Sequence, residues 1–202
     1  MRYNIGLDLG KRRDHAAIAI LERVDHRSAY ATPTLGTLNV IHLERIPLGT
    51  PYTTVVAAVQ RLVNTPILQG QCALAVDATG VGGPVVDMLR RGQLGCELSA
   101  VTITAGEHES TNGSDYTVPK QDLLAGIQVH LELGQLRIAK QLKECGSLVR
   151  ELMDVRMTNR SPGRVRIGAD GCGEHDDLVI AVALAAWRAR RRENHFGTFR
   201  IV

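Results

Sequence analysis

Four aspartates lie where the folded chain could bring their carboxylates together. Asp8 is in the middle of an apolar, strand-like segment, IGLDLG, where an unpaired carboxylate is costly and Asp is depleted. Asp77 directly follows a second apolar run, and Asp176 and Asp177 begin an apolar stretch of helical character. If the strands that carry Asp8 and Asp77 are neighbours and the last helix packs across their ends, these carboxylates converge on one point.

Converging carboxylates favour a metal site. Carboxylates held close together repel one another unless a hard cation lies between them, and Mg²⁺ or Mn²⁺ is the usual cation for ligands that are all oxygen. Two such ions, about 3.5 to 4 Å apart, can activate water and stabilise the leaving oxygen of a phosphodiester. The aspartates therefore predict a two-ion site that hydrolyses phosphodiesters.

Structural interpretations of the same residues stay open. Asp77 could begin an Asx-turn before the glycine-rich segment ATGVGGP, and Asp176 or Asp177 could cap the last helix. Capping needs one carboxylate, however, and this helix offers two. Asp8 is harder to explain in this way, because it lies within a strand rather than at a turn.

Other common catalytic motifs are absent from the sequence. It contains no G-x-x-x-x-G-K-[ST], no G-x-S-x-G and no H-E-x-x-H. Gly80, Gly82 and Gly83 come close to a dinucleotide-binding fingerprint, but Val85 stands where the third glycine should be. A phosphate-binding loop is therefore not favoured.

Periodicity and turn residues predict the elements that must position the aspartates. Apolar segments predict five strands, at about 3–9, 15–21, 37–46, 72–76 and 98–104. Helices are expected at about 51–65, 84–91, 119–133 and 140–157, with short extended pieces at 136–139 and 164–167 and a last helix from about Glu174. This order predicts an α/β fold with a central mixed sheet of about five strands, the first three antiparallel and the rest parallel, flanked by helices.

Length and composition indicate one globular domain, 1–202. The chain has 202 residues, of which 44% are hydrophobic, so it can bury a sizeable core. Aromatic residues are only 3%, too few for a single-strand binder that works by stacking bases on rings. Residues 105–118 have almost no large apolar side chains and predict a mobile loop.

Charge is unevenly distributed along the chain. Residues 1–136 carry 11 Lys and Arg against 13 Asp and Glu, whereas residues 137–202 carry 13 against 8. A polyanionic partner is therefore expected to meet mainly the C-terminal third, including a basic tail at 188–202.

Two features predict a cytoplasmic protein with no membrane partner. The basic run 11–13 stands where a signal peptide would need apolar residues, and the longest apolar run, 178–187, is too short to span a bilayer. The spacing of the four cysteines matches neither a zinc site nor a dense disulfide framework, so they are expected to be thiols in a reducing compartment.

Four blocks of sequence occur in a characteristic order: IGLDLGKRRDHAAIAI, ALAVDATGVGGPVVDML, VPKQDLLAGIQVHLELGQLRI and EHDDLVIAVALAAW. In this order they resemble the C-terminal nuclease domain of the bacteriophage terminase large subunit, the DNA-packaging motor. The resemblance runs from about residue 3 to residue 190, and DATGVG followed by HDDL is its most specific part. It implies a ribonuclease H-like fold related to Holliday junction resolvases.

The resemblance also implies an activity and a ligand set. The family cleaves concatemeric double-stranded phage DNA during packaging with two divalent ions, Mg²⁺ or Mn²⁺. Matched residue by residue, its acidic metal ligands fall on Asp8, on Asp77 and on the pair Asp176 and Asp177, with Asp177 as first choice. Since Met1 lies two residues before the first strand, we expect the ATPase motor to be a separate protein, with portal or small terminase proteins as further partners and a phage or prophage gene in a bacterial host as the source.

Further polar residues have both a functional and a structural interpretation. His175 is a candidate ligand or proton shuttle, or a solvent-facing histidine at a helix start. Lys120 is a candidate contact for the scissile phosphate, or a surface lysine in a first helical turn. Arg190, Arg191 and Arg192 are candidate contacts for a DNA backbone without sequence preference, or cations that complement the end of a helix.

Two other classes of function compete with a metal-dependent DNA endonuclease. Sugar kinases and actin-like ATPases also begin with a strand like IGLDLG and place a D-x-T-G turn at a phosphate site, but they duplicate the domain and lack an acidic pair on a final helix. A non-catalytic DNA-binding remnant is the other alternative, and the acids at all three positions argue against it. The sequence leaves open whether the substrate is duplex DNA, branched DNA or an RNA hybrid.

Overall fold

The computed structural model describes residues 1–10, 15–25, 36–159, 165–168 and 176–191. Its strands are β1 (Tyr3–Asp8), β2 (Ala16–Val24), β3 (Thr37–Ile46), β4 (Cys72–Asp77), β5 (Glu97–Thr104), β6 (Ser110–Asn112), β7 (Asp115–Pro119), β8 (Leu136–Ile138), β9 (Arg156–Asn159) and β10 (Val165–Gly168). Its helices are α1 (Tyr52–Val63), α2 (Gly82–Arg91), α3 (Lys120–Glu132), α4 (Cys145–Asp154) and α5 (Asp177–Arg190).

A mixed sheet of eight strands, in the order β6-β7-β5-β4-β1-β2-β3-β8, forms the centre of the fold. The antiparallel arrangement predicted for the first three strands is confirmed, and β4, β5 and β7 follow β1 in parallel. The predicted number of five strands is wrong, because β6, β7 and β8 are also part of the sheet. These strands have three to five residues and lie towards the sheet edges, where little hydrophobic periodicity is required.

The segment 105–118, predicted to be a loop, contains a hairpin instead. Strand β6 pairs with β7 in antiparallel register, and β7 adds to β5 in parallel. Gly113, with a φ of 63°, and Ser114 form the two-residue turn, so the Gly-Ser step at 113–114 was the available signal. The strands could stay polar because β6 is exposed along its whole length.

Helix α4 is shorter than the predicted helix 140–157. It ends at Asp154, and the residues that follow form β9, which pairs with β10 in a separate two-stranded sheet. The partner strand β10 lies at the extended piece predicted at 164–167, whereas β9 falls at the end of the segment predicted as a helix. Glu174, the predicted start of the last helix, lies outside the described residues, and α5 begins at Asp177.

Side chains of the central strands alternate between two apolar layers. On one face, Ile5 and Leu7 of β1 pack in a core with α1 and α2. On the other, strand residues that include Ala75 pack in a core with α3, α4 and α5. Since successive side chains of a strand point to opposite faces, Gly6 and Asp8 belong to the α5 face.

Helix α5 lies directly on β1. A Cβ atom added to Gly6 would clash with the backbone oxygen of Ala181 and would lie 2.8 Å from the backbone nitrogen of Ala185. In the sheet, Gly6 is flanked by Ala19 of β2 and Ala75 of β4, so small residues form the surface beneath the helix. Helix α5 is packed on more than one side, because every residue from Asp177 to Ala189 is buried. In the described part of the chain, no helix is both long and apolar enough to cross a membrane.

Replacing Gly6 with alanine should destabilise the protein by about 3 kcal/mol or more, since the added methyl group meets backbone atoms that cannot rotate away. The matched control is Gly83→Ala in α2, where an added Cβ would have no heavy atom within 4 Å. The control should leave stability unchanged or raise it by up to about 1 kcal/mol. Urea unfolding would measure both, and equal stabilities would contradict the close contact between α5 and β1.

Candidate functional site

Asp8 and Asp77 are the last residues of two neighbouring parallel strands. Leu7 of β1 is in register with Val76 of β4, so the next pair along the two strands is Asp8 and Asp77. Asp77 is two residues after Ala75, so the side chains of both point to the α5 face of the sheet, as that of Asp8 does. Two parallel strands thus deliver two carboxylates to the same edge and the same face of the sheet.

Asp176 and Asp177 reach this edge from above the sheet. Asp176 is the N-cap residue of α5 and Asp177 is its first helical residue. Because α5 lies along β1, its N-terminus is placed near the end of the strand that carries Asp8. Asp8 and Asp177 are 8% and 4% exposed, whereas Asp176 is half-buried. The structure therefore brings the four predicted aspartates together.

The carboxylates interact strongly with one another. Burial is the largest effect that raises the pKa of Asp8 well above its ordinary value, followed by the negative charges of Asp77, Asp177 and Asp176. Lys120 opposes this rise with its positive charge. An ionised Asp8 is consequently unfavourable here unless further positive charge is supplied.

The glycine-rich turn after β4 holds the Asp77 carboxylate in place. The backbone N–H of Thr79 donates to Oδ1 of Asp77 at 2.8 Å, which is the Asx-turn considered from the sequence. The Thr79 hydroxyl accepts a hydrogen bond from the N–H of Ile103 at 2.9 Å and so fixes the turn to β5. Gly82 allows α2 to start against the backbone of Asp77, since an added Cβ would lie 2.9 Å from the Asp77 carbonyl carbon. The turn is thus compatible with an oriented, functional Asp77.

Lys120 lies among the acids. It follows β7 directly as the first residue of α3, at the sheet edge where β1 and β4 also end. Its ammonium group donates to Oδ2 of Asp176 at 2.5 Å, and its side chain is 31% exposed. Asp176 is therefore engaged with Lys120, and it makes no side-chain hydrogen bond that caps α5.

Glu151 of α4 is a residue at the site that the sequence analysis missed. Its carboxylate is buried, accepts a hydrogen bond from the N–H of Val179 at 3.0 Å and forms an ion pair with Arg45 of β3. Burial raises the pKa of Glu151 to about 7, and the charge of Asp177 adds to the rise, while the Val179 N–H and Arg45 oppose it. An acidic residue three positions after the buried Leu148, on the apolar face of α4, was the available signal.

The remaining predicted site residues lie elsewhere. Arg190 and Arg191 lie at the opposite end of α5, about 20 Å from Asp177 along a helix of 14 residues. The Arg190 guanidinium packs against Gly126 of α3, and Arg191 stacks 3.7 Å from the Trp187 ring centroid and pairs with Glu109. His175 and Arg192 lie outside the described residues.

The donor set suits a divalent cation in its chemistry. Four aspartates share the site with the Lys120 ammonium group, and Glu151 is paired with Arg45. The described side chains thus leave an excess of negative charge that oxygen-preferring cations such as Mg²⁺ or Mn²⁺ would offset. As the described side chains stand, no three of the Asp, Glu, His or Cys groups are close enough to hold one ion between them. The residues fit the cation by charge and donor type.

Comparison with solved structures identifies proteins whose fold is similar to that of this chain. The large terminase nuclease of thermophilic phage G20c with bound magnesium superposes with a TM-score of 0.65 at 22% identity, covering 92% of this chain and 80% of that one. The chain has the fold of a large terminase nuclease. The nuclease domain from bacteriophage SPP1 with bound manganese gives 0.57 at 12% identity, covering 93% and 86% of the two chains. A mutant nuclease domain of the large terminase of bacterial virus Sf6, with manganese and β-thujaplicinol, gives 0.67 at 11%, covering 92% and 88%.

These similarities confirm the ribonuclease H-like fold expected from the resemblance. The solved terminase nuclease structures include examples that hold magnesium or manganese. No protein-family model matches the chain, and no curated protein matches it. The likeness to large terminase nucleases is therefore carried by the structure.

Asp8→Asn should stabilise the metal-free protein. Because the folded-state pKa of Asp8 is raised, ionised Asp8 costs folding free energy, and this cost grows as pH rises from the unfolded value of about 4. In chelator at pH 8, we expect the free energy of unfolding of the variant to exceed that of the wild type by about 0.5 to 2 kcal/mol. The difference should shrink as the pH approaches 4.

Urea unfolding across this pH range would measure the effect. Asp87→Asn, on an exposed position of α2, is the matched control and should change stability little at any pH. A wild type more stable than Asp8→Asn in chelator at pH 8 would show that the acidic cluster is not strained.

Proposed function

We propose that this protein is a divalent-metal-dependent endonuclease that cleaves double-stranded DNA. The observation that carries the proposal is the convergence of Asp8, Asp77, Asp176 and Asp177 at one sheet edge, with the ionisation of buried Asp8 opposed by the other three. The fold shared with terminase nucleases, some of which hold magnesium or manganese, supports the same chemistry. Its proposed biological setting is the cutting of concatemeric phage DNA in a packaging complex that includes an ATPase motor and portal or small terminase proteins.

Asp8, Asp77 and Asp177 are the proposed ligands of two Mg²⁺ or Mn²⁺ ions. When bound, such ions lower the pKa of coordinated water and neutralise charge that develops on the phosphate. The Thr79 N–H orients the Asp77 carboxylate, and burial by α5 keeps bulk water away from Asp8 and Asp177.

Asp176 and Lys120 have a different proposed role from the ligands. Asp176 is half-buried and holds the Lys120 ammonium group, whereas Asp177 is 4% exposed. Lys120, so positioned, can offer its compact charge to a nonbridging oxygen of the scissile phosphate. His175 stays a candidate proton carrier on sequence grounds.

The purified protein should nick plasmid DNA with Mn²⁺ or Mg²⁺ and lose this activity in chelator. Asp8→Asn and Asp77→Asn should each lower the rate at least about a hundredfold, because an amide supplies less ligand charge without changing shape. Asp177→Asn should lower it more than Asp176→Asn, since Asp177 is buried beside Asp8 whereas the Asp176 carboxylate is engaged with Lys120.

Gel quantification of nicked plasmid would measure these rates, with Asp87→Asn as the matched control. Activity that survives in chelator, or that Asp8→Asn and Asp77→Asn leave intact, would contradict the metal-dependent mechanism. A larger loss in Asp176→Asn would exchange the proposed roles of the two neighbours.

DNA binding is proposed along the basic C-terminal segment, Arg190 to Arg192, and the neighbouring residues 105–118. The ion pair between Arg191 and Glu109 brings Arg191 next to this second stretch. Burial lowers the pKa of Arg191 to about 10, so its guanidinium still carries its charge at neutral pH. Contacts of this kind would bind phosphates without reading the bases.

Affinity for duplex DNA should therefore fall steeply with salt and vary little with sequence. Each neutralised phosphate contributes about −0.9 to the slope of log K against log salt, so replacing Arg190, Arg191 and Arg192 with alanine should flatten the slope by up to roughly two to three units. Arg61→Ala, on the exposed side of α1 across the sheet, should leave the slope unchanged. Fluorescence anisotropy with several unrelated duplexes would measure it, and an affinity insensitive to salt would contradict the proposed surface.

A further inference from the structure

We propose that Glu151 is a positioning residue for the metal site, and that it sets the place of Asp177 by capping α5 from the neighbouring helix. The proposal rests on the proposed function, because it assigns Glu151 a part in organising the same carboxylates. Glu151 belongs to α4 and is 8% exposed.

The cap of α5 comes from Glu151 instead of from the helix itself. The first N–H groups of a helix have no partner within it, and a side chain at the N-cap usually accepts from one of them. Here Asp176 is the N-cap residue but forms no such bond, and the N–H of Val179, in the first turn, donates to Oε2 of Glu151 at 3.0 Å. Glu151 therefore holds the turn that contains Asp177 and leaves Asp176 to Lys120.

The other carboxylate oxygen of Glu151 is anchored to the sheet. Oε1 pairs with the guanidinium of Arg45, which also lies 3.8 Å from Glu144 at the start of α4. Arg45 is opposite Ala17 of β2, and Ala17 is opposite Asp8 of β1. Arg45 and Asp8 therefore lie in one row across the sheet, two strand spacings apart, which is about 10 Å.

These contacts form a continuous connection between two of the proposed ligands. It runs from Asp8 along the sheet row to Arg45, from there to Glu151, and through the Val179 N–H to the turn that bears Asp177. Because one oxygen of Glu151 accepts from Val179 and the other pairs with Arg45, its contacts are those of an anchor rather than of a metal ligand. This connection thereby fixes the spacing between the end of β1 and the start of α5, two elements that no loop joins directly.

The test compares variants of Glu151 in the 202-residue chain. Glu151→Ala should raise the Mn²⁺ concentration that gives half-maximal nicking by about 10- to 100-fold, the usual effect of losing a group that orients a ligand. Glu151→Gln keeps an oxygen for the Val179 N–H but loses the charge that binds Arg45, so its effect should be smaller. Glu144→Gln is the matched control, since Glu144 contacts the same Arg45 but not α5, and it should stay within about twofold of the wild type.

A double-mutant cycle separates positioning from general stability. If Glu151 acts through Asp177, Glu151→Gln should lower the nicking rate little in a protein that already carries Asp177→Asn. If the effects of the two substitutions on the logarithm of the rate simply add, the proposal is overturned. The rise in melting temperature produced by Mn²⁺ gives a second readout that does not require catalysis, and Glu151→Gln should reduce it. If Glu151→Ala does not fold, Glu151→Gln carries the test by itself.

The outcomes distinguish the two levels of the argument. Absence of metal-dependent nicking in the wild type would refute the proposed function, and the Mn²⁺ shift in melting temperature would still report on Glu151. Nicking that depends on Asp8 and Asp177, but with an unchanged Mn²⁺ requirement in folded Glu151→Ala and Glu151→Gln, would refute the positioning role alone.

Discussion

The contact between α5 and β1 at Gly6 is the constraint on which the rest of the structure depends. The backbone oxygen of Ala181 occupies the space that any side chain at position 6 would need. This contact fixes the distance between α5 and the sheet. The small side chains of the flanking Ala19 and Ala75 allow the helix to lie equally close to the neighbouring strands. The position of Asp177 follows, because a helix that rests on the backbone of β1 must begin close to the end of that strand. A larger residue at position 6 would lift the helix start away from Asp8.

The site concentrates negative charge at the cost of stability. Asp8 is buried with three other carboxylates around it, and Lys120 offers one positive charge in return. Such an arrangement is unfavourable for folding by itself, and charged groups are held together in this way where binding of a cation repays the cost. The strain at Asp8 and the proposed metal binding are therefore two aspects of the same electrostatic arrangement.

The different roles of Asp176 and Asp177 depend on which residue accepts hydrogen bonds from the free N–H groups at the N-terminus of α5. If Asp176 capped α5, its carboxylate would be turned toward the helix backbone and away from Lys120. Glu151 accepts from the Val179 N–H instead, so the cap is supplied from α4 and the two aspartates are available for the site. A negative charge is favourable at this end of a helix, which helps to explain how a buried glutamate is tolerated beside Asp177.

The sequence by itself determined those features that depend only on residues near one another in the chain. The apolar segment around Asp8 and the apolar run before Asp77 predicted two strands, and the resemblance to terminase nucleases implied that Asp177 joins these two carboxylates in one ligand set. The expectation that Asp8 lies in the middle of its strand was wrong, because β1 ends at Asp8. Only the tertiary structure decided that β6 and β7 join the sheet, that Asp176 holds Lys120 and that Glu151 caps α5. Each of these depends on a partner distant in the chain, and local periodicity records which side of an element is apolar without recording what packs against it.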